Sequence, residues 1–277
     1  MSTSIAFIGG GNMASSLIGG LTSSSEPPEN ILVSEPNAEQ REQLTQKFDI
    51  QTTGENTDSL KADVVVLAVK PQLLQVVCRE LSKALKQSNQ QPLFISIAAG
   101  VRSEDIDRWL GGNQAIVRCM PNTPSLLQTG ATGLYANPQV NNSQKALAEN
   151  ILRAVGITLW VNKEDELDAV TAVSGSGPAY FFLLMETMQQ AGIKLGLEAE
   201  TAEKLVLQTA LGAALMAKNS DVDAATLRAR VTSKGGTTEQ AIKSFQNADF
   251  EKLVENALKA ASDRSQTLAD ELSKDSP

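Results

Sequence analysis

Gly9-Gly10-Gly11-Asn12-Met13-Ala14 has the spacing G-x-G-x-x-A, directly behind the apolar run Ile5-Ala6-Phe7-Ile8 and at the head of a helical stretch running through Leu17 and Leu21. In that context each small residue has a task. The first glycine permits a tight turn, the second lets backbone approach a pyrophosphate, and the small last residue lets helix and strand pack closely. The helix N-terminus then offers free N–H groups and positive dipole to phosphates. The next apolar run, Ile31-Leu32-Val33, ends in Ser34-Glu35. An acidic side chain there accepts hydrogen bonds from the adenosine ribose hydroxyls and repels a 2′-phosphate. Arg41 is expected to lie farther along the following helix. Glu35 thus tilts the choice toward NADH and leaves NADPH open.

Three further segments end apolar runs at the side of a parallel sheet where ligands gather. Ala68-Val69-Lys70-Pro71 brings a lysine toward the cofactor, with a proline suited to the first turn of a helix. Ser96-Ile97-Ala98-Ala99-Gly100 is small enough around Ala98 to leave room for a nicotinamide ring. Met120-Pro121-Asn122-Thr123-Pro124 is fixed by two prolines. Later in the chain, Ser174-Gly175-Ser176-Gly177-Pro178-Ala179-Tyr180 interrupts an apolar helix, where glycines allow a kink or a close backbone approach. Thr232-Ser233-Lys234-Gly235-Gly236-Thr237-Thr238 combines two glycines with several hydroxyls. Thr237 with Gln240 reads as a capping box, so a helix starts there. Such a start suits a small carboxylate.

The elements that must position these groups fall into two regions. Continuous apolar runs at Ile5–Ile8, Ile31–Val33, Val64–Val69, Leu93–Ile97, Ala115–Cys119 and Gly156–Val161 predict strands covered on both faces. A polar helix is expected over Ala38–Phe48. Strand and helix in alternation imply right-handed βαβ units and an α/β fold with a doubly wound, Rossmann-type sheet over residues 1–162. From 163 to 277 strand-like runs stop, and helices are expected over Leu167–Ala191, Ala199–Lys218, Ala224–Val231, Thr237–Phe245 and Phe250–Leu272. The first two look apolar around much of their circumference, which calls for burial against a partner subunit. Ser23–Pro28 reads as a surface loop.

Composition narrows the chemistry. The chain of 277 residues has 42% hydrophobic and 20% charged residues, as a folded enzyme does. It contains no histidine, which removes histidine triads, histidine acid–base pairs and histidine metal sites. Cys78 and Cys119 stand outside any C-x-x-C spacing, so neither a disulfide scaffold nor a metal site is expected. A net charge of −8 argues against nucleic acid as a partner. No apolar stretch is long enough for a membrane span, and the N-terminus lacks the basic start of a signal peptide. A reducing, cytoplasmic setting is the expectation.

Taken together, Ile8–Met13, Ala68–Pro71, Ser96–Val101, Met120–Pro124, Ser174–Tyr180 and Thr232-Ser233 with Gly235–Thr238 resemble the pyrroline-5-carboxylate reductase family along essentially the whole chain. The last two segments are the most specific, because generic Rossmann proteins lack them. Lys234 departs from the proline that many family members carry. The resemblance implies reduction of L-1-pyrroline-5-carboxylate to L-proline with NADPH or NADH. It implies a homodimer intertwined through an all-helical domain, in places built into rings, with the substrate at the dimer interface. It also implies that Ser233, Gly236 and Thr237, in a loop containing Gly235, hold the substrate carboxylate. Thr238 then lies beside the ring nitrogen as the catalytic group, and Glu164 matches a substrate-side position. Asn56, Val69 and Lys70 match cofactor contacts. The absence of histidine agrees with this chemistry, because a cyclic imine can bind already protonated and the tasks left are orientation and electrostatics. Another imine or β-hydroxyacid reductase, or a non-catalytic dinucleotide sensor, remains the alternative. The loop's hydroxyls, and the lack of an obvious catalytic lysine on the second region's first helix, speak against the hydroxyacid class.

Overall fold

The computed structural model describes residues 3–24, 27–88 and 90–274. Met1 and Ser2, at the N-terminus examined for a signal peptide, and Ser25 and Glu26 of the surface loop lie outside them. Two compact units are present: Met1–Ser176 together with Ala261–Pro277, and Gly177–Ala260.

The first unit is built on the strands β1 (Ile5–Ile8), β2 (Ile31–Ser34), β3 (Gln51–Thr53), β4 (Val64–Leu67), β5 (Leu93–Ser96), β6 (Ile116–Met120), β7 (Gly130–Ala136) and β8 (Gly156–Trp160). They form one sheet in the order β3-β2-β1-β4-β5-β6-β7-β8. Side chains alternate between the two faces of a strand. Both faces are dry at β1, β4 and β5, which is why those runs are continuously apolar; β8 departs from the expectation, because Ile157 and Leu159 on one of its faces are exposed in the single chain. Ile5 and Phe7, Val64 and Val66, and Leu93 and Ile95 enter one core, with Leu17 and Ile18 of α1 (Asn12–Ser23), Leu44 of α2 (Ala38–Phe48) and Ile151 of α5 (Asn142–Arg153). Ile8, Val65, Leu67 and Phe94 enter the other, with Leu74, Cys78 and Leu81 of α3 (Pro71–Leu85) and Ile106 and Trp109 of α4 (Ser103–Leu110).

β1 pairs in parallel with both β2 and β4, so the strand order reverses between β1 and β4. The crevice beyond the carboxyl ends of those two strands is where such sheets bind ligands. Two strands had no apolar run to announce them. β3 is a polar edge strand, Gln51-Thr52-Thr53. β7, Gly130-Ala131-Thr132-Gly133-Leu134-Tyr135-Ala136, is antiparallel to β6 and parallel to β8, so the sheet is mixed at this end.

After β8 the described chain is helical. α6 (Glu166–Val170) passes into a π-helical segment, Thr171–Gly175. α7 (Gly177–Lys194), α8 (Ala199–Lys218), α9 (Ala224–Arg230), α10 (Thr237–Asn247) and the first part of α11 (Phe250–Leu272) make the second unit. The last part of α11 belongs to the first unit, where Ser265 donates to Asp168 at 2.6 Å and Arg102 pairs with Asp270 at 2.6 Å. In the second unit very little is buried: Ala202 and Val206 are, while Phe181, Phe182 and Leu183 on α7 and Leu205, Leu211 and Leu215 on α8 stand exposed in the single chain. No helix among the described residues is long and apolar enough to cross a membrane.

Candidate active site

The glycine turn joins β1 to α1. Gly9 adopts φ +99°, and a Cβ there would stand 2.7 Å from the Ala68 carbonyl oxygen, so only glycine lets the turn approach the end of β4. A Cβ on Gly10 would meet Leu44 at 2.6 Å, whereas one on Gly11 would meet nothing within 4 Å. Gly11 therefore faces open space by design of the backbone rather than for packing. It is the N-cap of α1, and no side chain caps that end. The first-turn N–H groups of Asn12, Met13 and Ala14 thus lack partners within the helix, and no acidic residue shields them. Ala14 is buried beneath the turn. Gln40 locks the turn from behind by donating to the Gly10 carbonyl at 3.0 Å. This cradle suits a dinucleotide pyrophosphate.

Glu35 lies at the β2 end of the cradle. Its carboxylate accepts from the Gly10 N–H at 3.0 Å and from the Asn37 N–H at 3.1 Å. Arg41 is nearer than its sequence position implied. Its guanidinium reaches back to the carbonyl oxygens of Glu35, at 2.7 Å, and of Pro36, at 3.0 Å. Asn56 accepts from the Ser34 hydroxyl at 2.8 Å and donates to Glu80 at 2.8 Å, which fixes its amide beside the end of β2. Val69 and Lys70 follow β4, with Lys70 exposed at the N-cap of α3 and Pro71 in its first turn. Ala98 is buried behind β5. The Gly100 that follows it packs against Leu268 of α11, which a Cβ would approach to 3.0 Å.

Glu164 sits in a cluster that composition and spacing did not reveal. Oε1 accepts from Arg118 of β6 at 3.0 Å and from the Ser103 N–H at 2.6 Å, and Oε2 accepts from the Ser103 hydroxyl at 2.5 Å. The head of α4, the interior of β6 and the approach to α6 thus converge on one carboxylate. Tyr135, paired across the sheet with Arg118, has its phenol pushed up by burial and then by the negative charges of Glu164 and Asp165. Asp105 on α4 is also pushed up, mainly by burial, with Arg108 opposing. The one sequence signal was an arginine inside the apolar run Ile116-Val117-Arg118-Cys119.

The loop after β6 is tied to the π-helical segment. Asn122 donates to the Ser174 carbonyl at 3.1 Å and accepts from the Ala131 N–H at 2.9 Å. Gly175 lies so close to Met120 that a Cβ would stand 2.5 Å from its methyl group. The glycine-rich interruption therefore serves both as a helix irregularity and as a close approach. A π-bulge of this kind often marks a functional site.

The second unit holds the hydroxyl-rich loop. Its helix start differs by one residue from the expected capping box. The N-cap of α10 is Gly236, not Thr237, and no side chain caps it. Glu239 rather than Gln240 reaches back, accepting from the Gly235 N–H at 2.8 Å, and that bond first, then Lys243, holds its carboxyl below the usual range. Both G-x-x-E and T-x-x-Q fit the sequence, and the glycine turn decides between them. Gly235 has φ +76°, and a Cβ on Gly236 would lie 2.5 Å from the Ser233 hydroxyl, so each glycine has its own steric reason. The result is a helix start with free N–H groups at Thr237 and Thr238, flanked by the exposed Ser233 and the half-buried Thr238.

Comparison with known proteins adds the following. Residues 164–268 match the family described as pyrroline-5-carboxylate reductase dimerisation, and residues 4–100 match NADP oxidoreductase coenzyme F420-dependent. A pyrroline-5-carboxylate reductase of Pseudomonas aeruginosa is 57% identical over 97% of this chain and 97% of its own length. The structure of a pyrroline-5-carboxylate reductase from Coxiella burnetii superposes with a TM-score of 0.93 at 47% identity, covering 97% of this chain and 99% of that one. A Plasmodium falciparum pyrroline carboxylate reductase, solved with NADP bound, gives 0.83 at 31% identity over 96% of this chain and 98% of that one.

Proposed function

The chain belongs to the pyrroline-5-carboxylate reductase family, and from that premise we propose how its two site halves divide the reaction. The enzyme reduces L-1-pyrroline-5-carboxylate to L-proline, the closing step of proline biosynthesis, with NADPH or NADH as hydride donor. In our proposal residues 1–162 bind the dinucleotide and residues 163–277 bind the substrate and dimerise. One observation carries this division. A phosphate cradle open at Gly11 and an uncapped, hydroxyl-lined helix start at Gly236 occur in one chain, so each charged end of the reaction has a seat.

Gly9 to Ala14 hold the pyrophosphate on the head of α1, Glu35 and Asn56 border the adenosine ribose, and Ala68 to Pro71 with Ala98 line the path to the nicotinamide. When bound, the dinucleotide supplies the hydride. Ser233 and Thr237 take the substrate carboxylate on O–H and N–H donors at the positive end of α10, while Gly235 and Gly236, whose N–H groups go to Glu239 and to the Ser233 carbonyl, shape the turn around it. Thr238 offers a neutral hydrogen bond to the ring nitrogen, and Glu164 faces the substrate with the acceptor position that Ser103 and Arg118 leave free. The nitrogen enters protonated, so its C=N carbon accepts hydride and becomes the amine carbon without a titrating histidine. Orientation carries the rate.

A homodimer formed through the helical unit accords with the match to the family's dimerisation region and with the apolar faces of α7 and α8. Such faces on a protein in water call for a partner. Further assembly into rings, a cytoplasmic location and the lack of nucleic-acid or membrane partners complete the proposal. The test is the oxidation of NADPH or NADH by the purified protein with pyrroline-5-carboxylate. Proline formed in step with dinucleotide oxidation supports the reading. Tight NADH binding with no turnover of any cyclic imine would make the protein a dinucleotide sensor instead.

A further inference from the structure

We infer that Arg118 is a positioning residue of this enzyme that acts through Glu164, an inference that rests on the substrate-side reading of Glu164. Arg118 lies in the middle of β6, where Ile116, Val117 and Cys119 are all buried, and its own side chain is only 7% exposed. A guanidinium in such a place is expensive unless paired, and replacing a buried ion pair by apolar groups is often neutral or stabilising. Stability alone therefore gives a weak reason to keep a charge here. The pair does have a geometric consequence. An ionised carboxylate has about four acceptor positions. Ser103 N–H and Arg118 occupy Oε1, and the Ser103 hydroxyl occupies Oε2. One position on Oε2 remains, and the carboxylate cannot turn without breaking bonds on both oxygens.

The same bonds fix what surrounds that carboxylate. Ser103 heads α4 two residues after the Ala98–Val101 segment, and Arg118 lies two residues before Met120 on the strand that leads into the Met120–Pro124 loop. The charged and titratable groups around the cluster are Arg118 on β6, Tyr135 on β7, Glu104, Asp105 and Arg108 on α4, Arg102 at the N-cap of α4, and Asp165 beside Glu164. With Arg118 in place the pair carries no net charge, so Glu164 acts as an oriented acceptor and not as a bare negative charge. Without Arg118 the carboxylate is held by Ser103 alone and its charge is uncompensated.

The experiment is a double-mutant cycle on Arg118→Met and Glu164→Gln. Steady-state constants for pyrroline-5-carboxylate, the NADH dissociation constant, the isotope effect with 4-deuterated NADH and melting temperature are read for each enzyme. Arg118→Met is expected to lower kcat/KM for the imine by about tenfold or more, with NADH affinity changed less than about twofold and a larger isotope effect. Arg118→Lys should recover much of the loss. The double variant should be no worse than the worse single one. Should Arg118→Met fail to fold, Ser103→Ala serves instead. It removes one donor from Oε2, and its effect of about three- to tenfold should vanish when Glu164 is already Gln. Fully additive losses, or a loss that follows melting temperature with a normal isotope effect, would overturn the inference. An unchanged Glu164→Gln enzyme would instead overturn the substrate-side reading on which it rests, and the two failures are distinct.

Discussion

Replacing Glu35 with Ser should shift cofactor choice toward NADPH. The carboxylate is not free to move aside, because the Gly10 and Asn37 N–H groups hold its two oxygens at 3.0 and 3.1 Å. A 2′-phosphate at the ribose corner would carry close to two negative charges at roughly 5 Å from it. At a solvent-like dielectric each charge pair repels by about 0.8 kcal/mol, so the total is about 1.6 kcal/mol, a little over tenfold. Each oxygen retains a second acceptor position for a ribose hydroxyl, and losing a hydrogen bond there weakens NADH by about 0.5–1.5 kcal/mol. The ratio of kcat/KM for NADPH over NADH should therefore rise by about 35-fold to about 200-fold. Arg41, whose guanidinium is held on the Glu35 and Pro36 carbonyls, works in the opposite sense. Arg41→Ala should lower the same ratio. Steady-state kinetics with saturating pyrroline-5-carboxylate give both numbers, and the ratio cancels any general loss of folded enzyme. A ratio altered less than twofold by Glu35→Ser would mean that the ribose does not lie against Glu35.

Two further outcomes follow from burial. Phe181, Phe182 and Leu211 are exposed in the single chain, so light scattering at micromolar concentration should never give a species smaller than a dimer of the 29.5 kDa chain; an active monomer would contradict the partner argument. Burial pushes the Cys78 thiol up to about 12, and that of Cys119 higher still. At pH 8 the thiolate fraction of Cys78 is then roughly one part in ten thousand. Native protein should not react with a disulfide reagent that modifies both cysteines once urea unfolds the chain, and fast labelling of the native form would refute the assigned packing.

How much of this was legible in the sequence depends on the length scale of the cause. The glycine turn was legible because its reasons are local: a left-handed φ at Gly9, open space at Gly11, a small Ala14 under the helix. Strands buried on two faces were legible as unbroken apolar runs, and for the same reason the polar β3 and the glycine-containing β7 were not. Glu35 was recognisable by type and place, but its bonds to Gly10 and Asn37 and the return of Arg41 depend on how the turn folds over the end of β2. The α10 start was found within one residue, because two capping patterns overlap and only the sterics of Gly235 and Gly236 choose between them. The cluster of Ser103, Arg118 and Glu164 could not be found by spacing, since sheet topology rather than local chemistry brings its members together. The resemblance alone pointed to Glu164.

Whether the Ser233–Thr238 loop seats the substrate is decided by Thr238→Ala, with kinetics and melting temperature measured on the same sample. If it does, kcat falls by about 2- to 13-fold for loss of a neutral hydrogen bond, with NADH affinity little altered and melting temperature nearly unchanged, since Thr238 caps nothing. A loss on the order of 100-fold or more would add proton donation to its role. Ser233→Ala, measured beside it, should act mainly on KM, because the carboxylate it holds is charged before and during hydride transfer. A Thr238→Ala enzyme with normal kcat and KM and a lowered melting temperature would leave the loop as nothing more than the start of a helix.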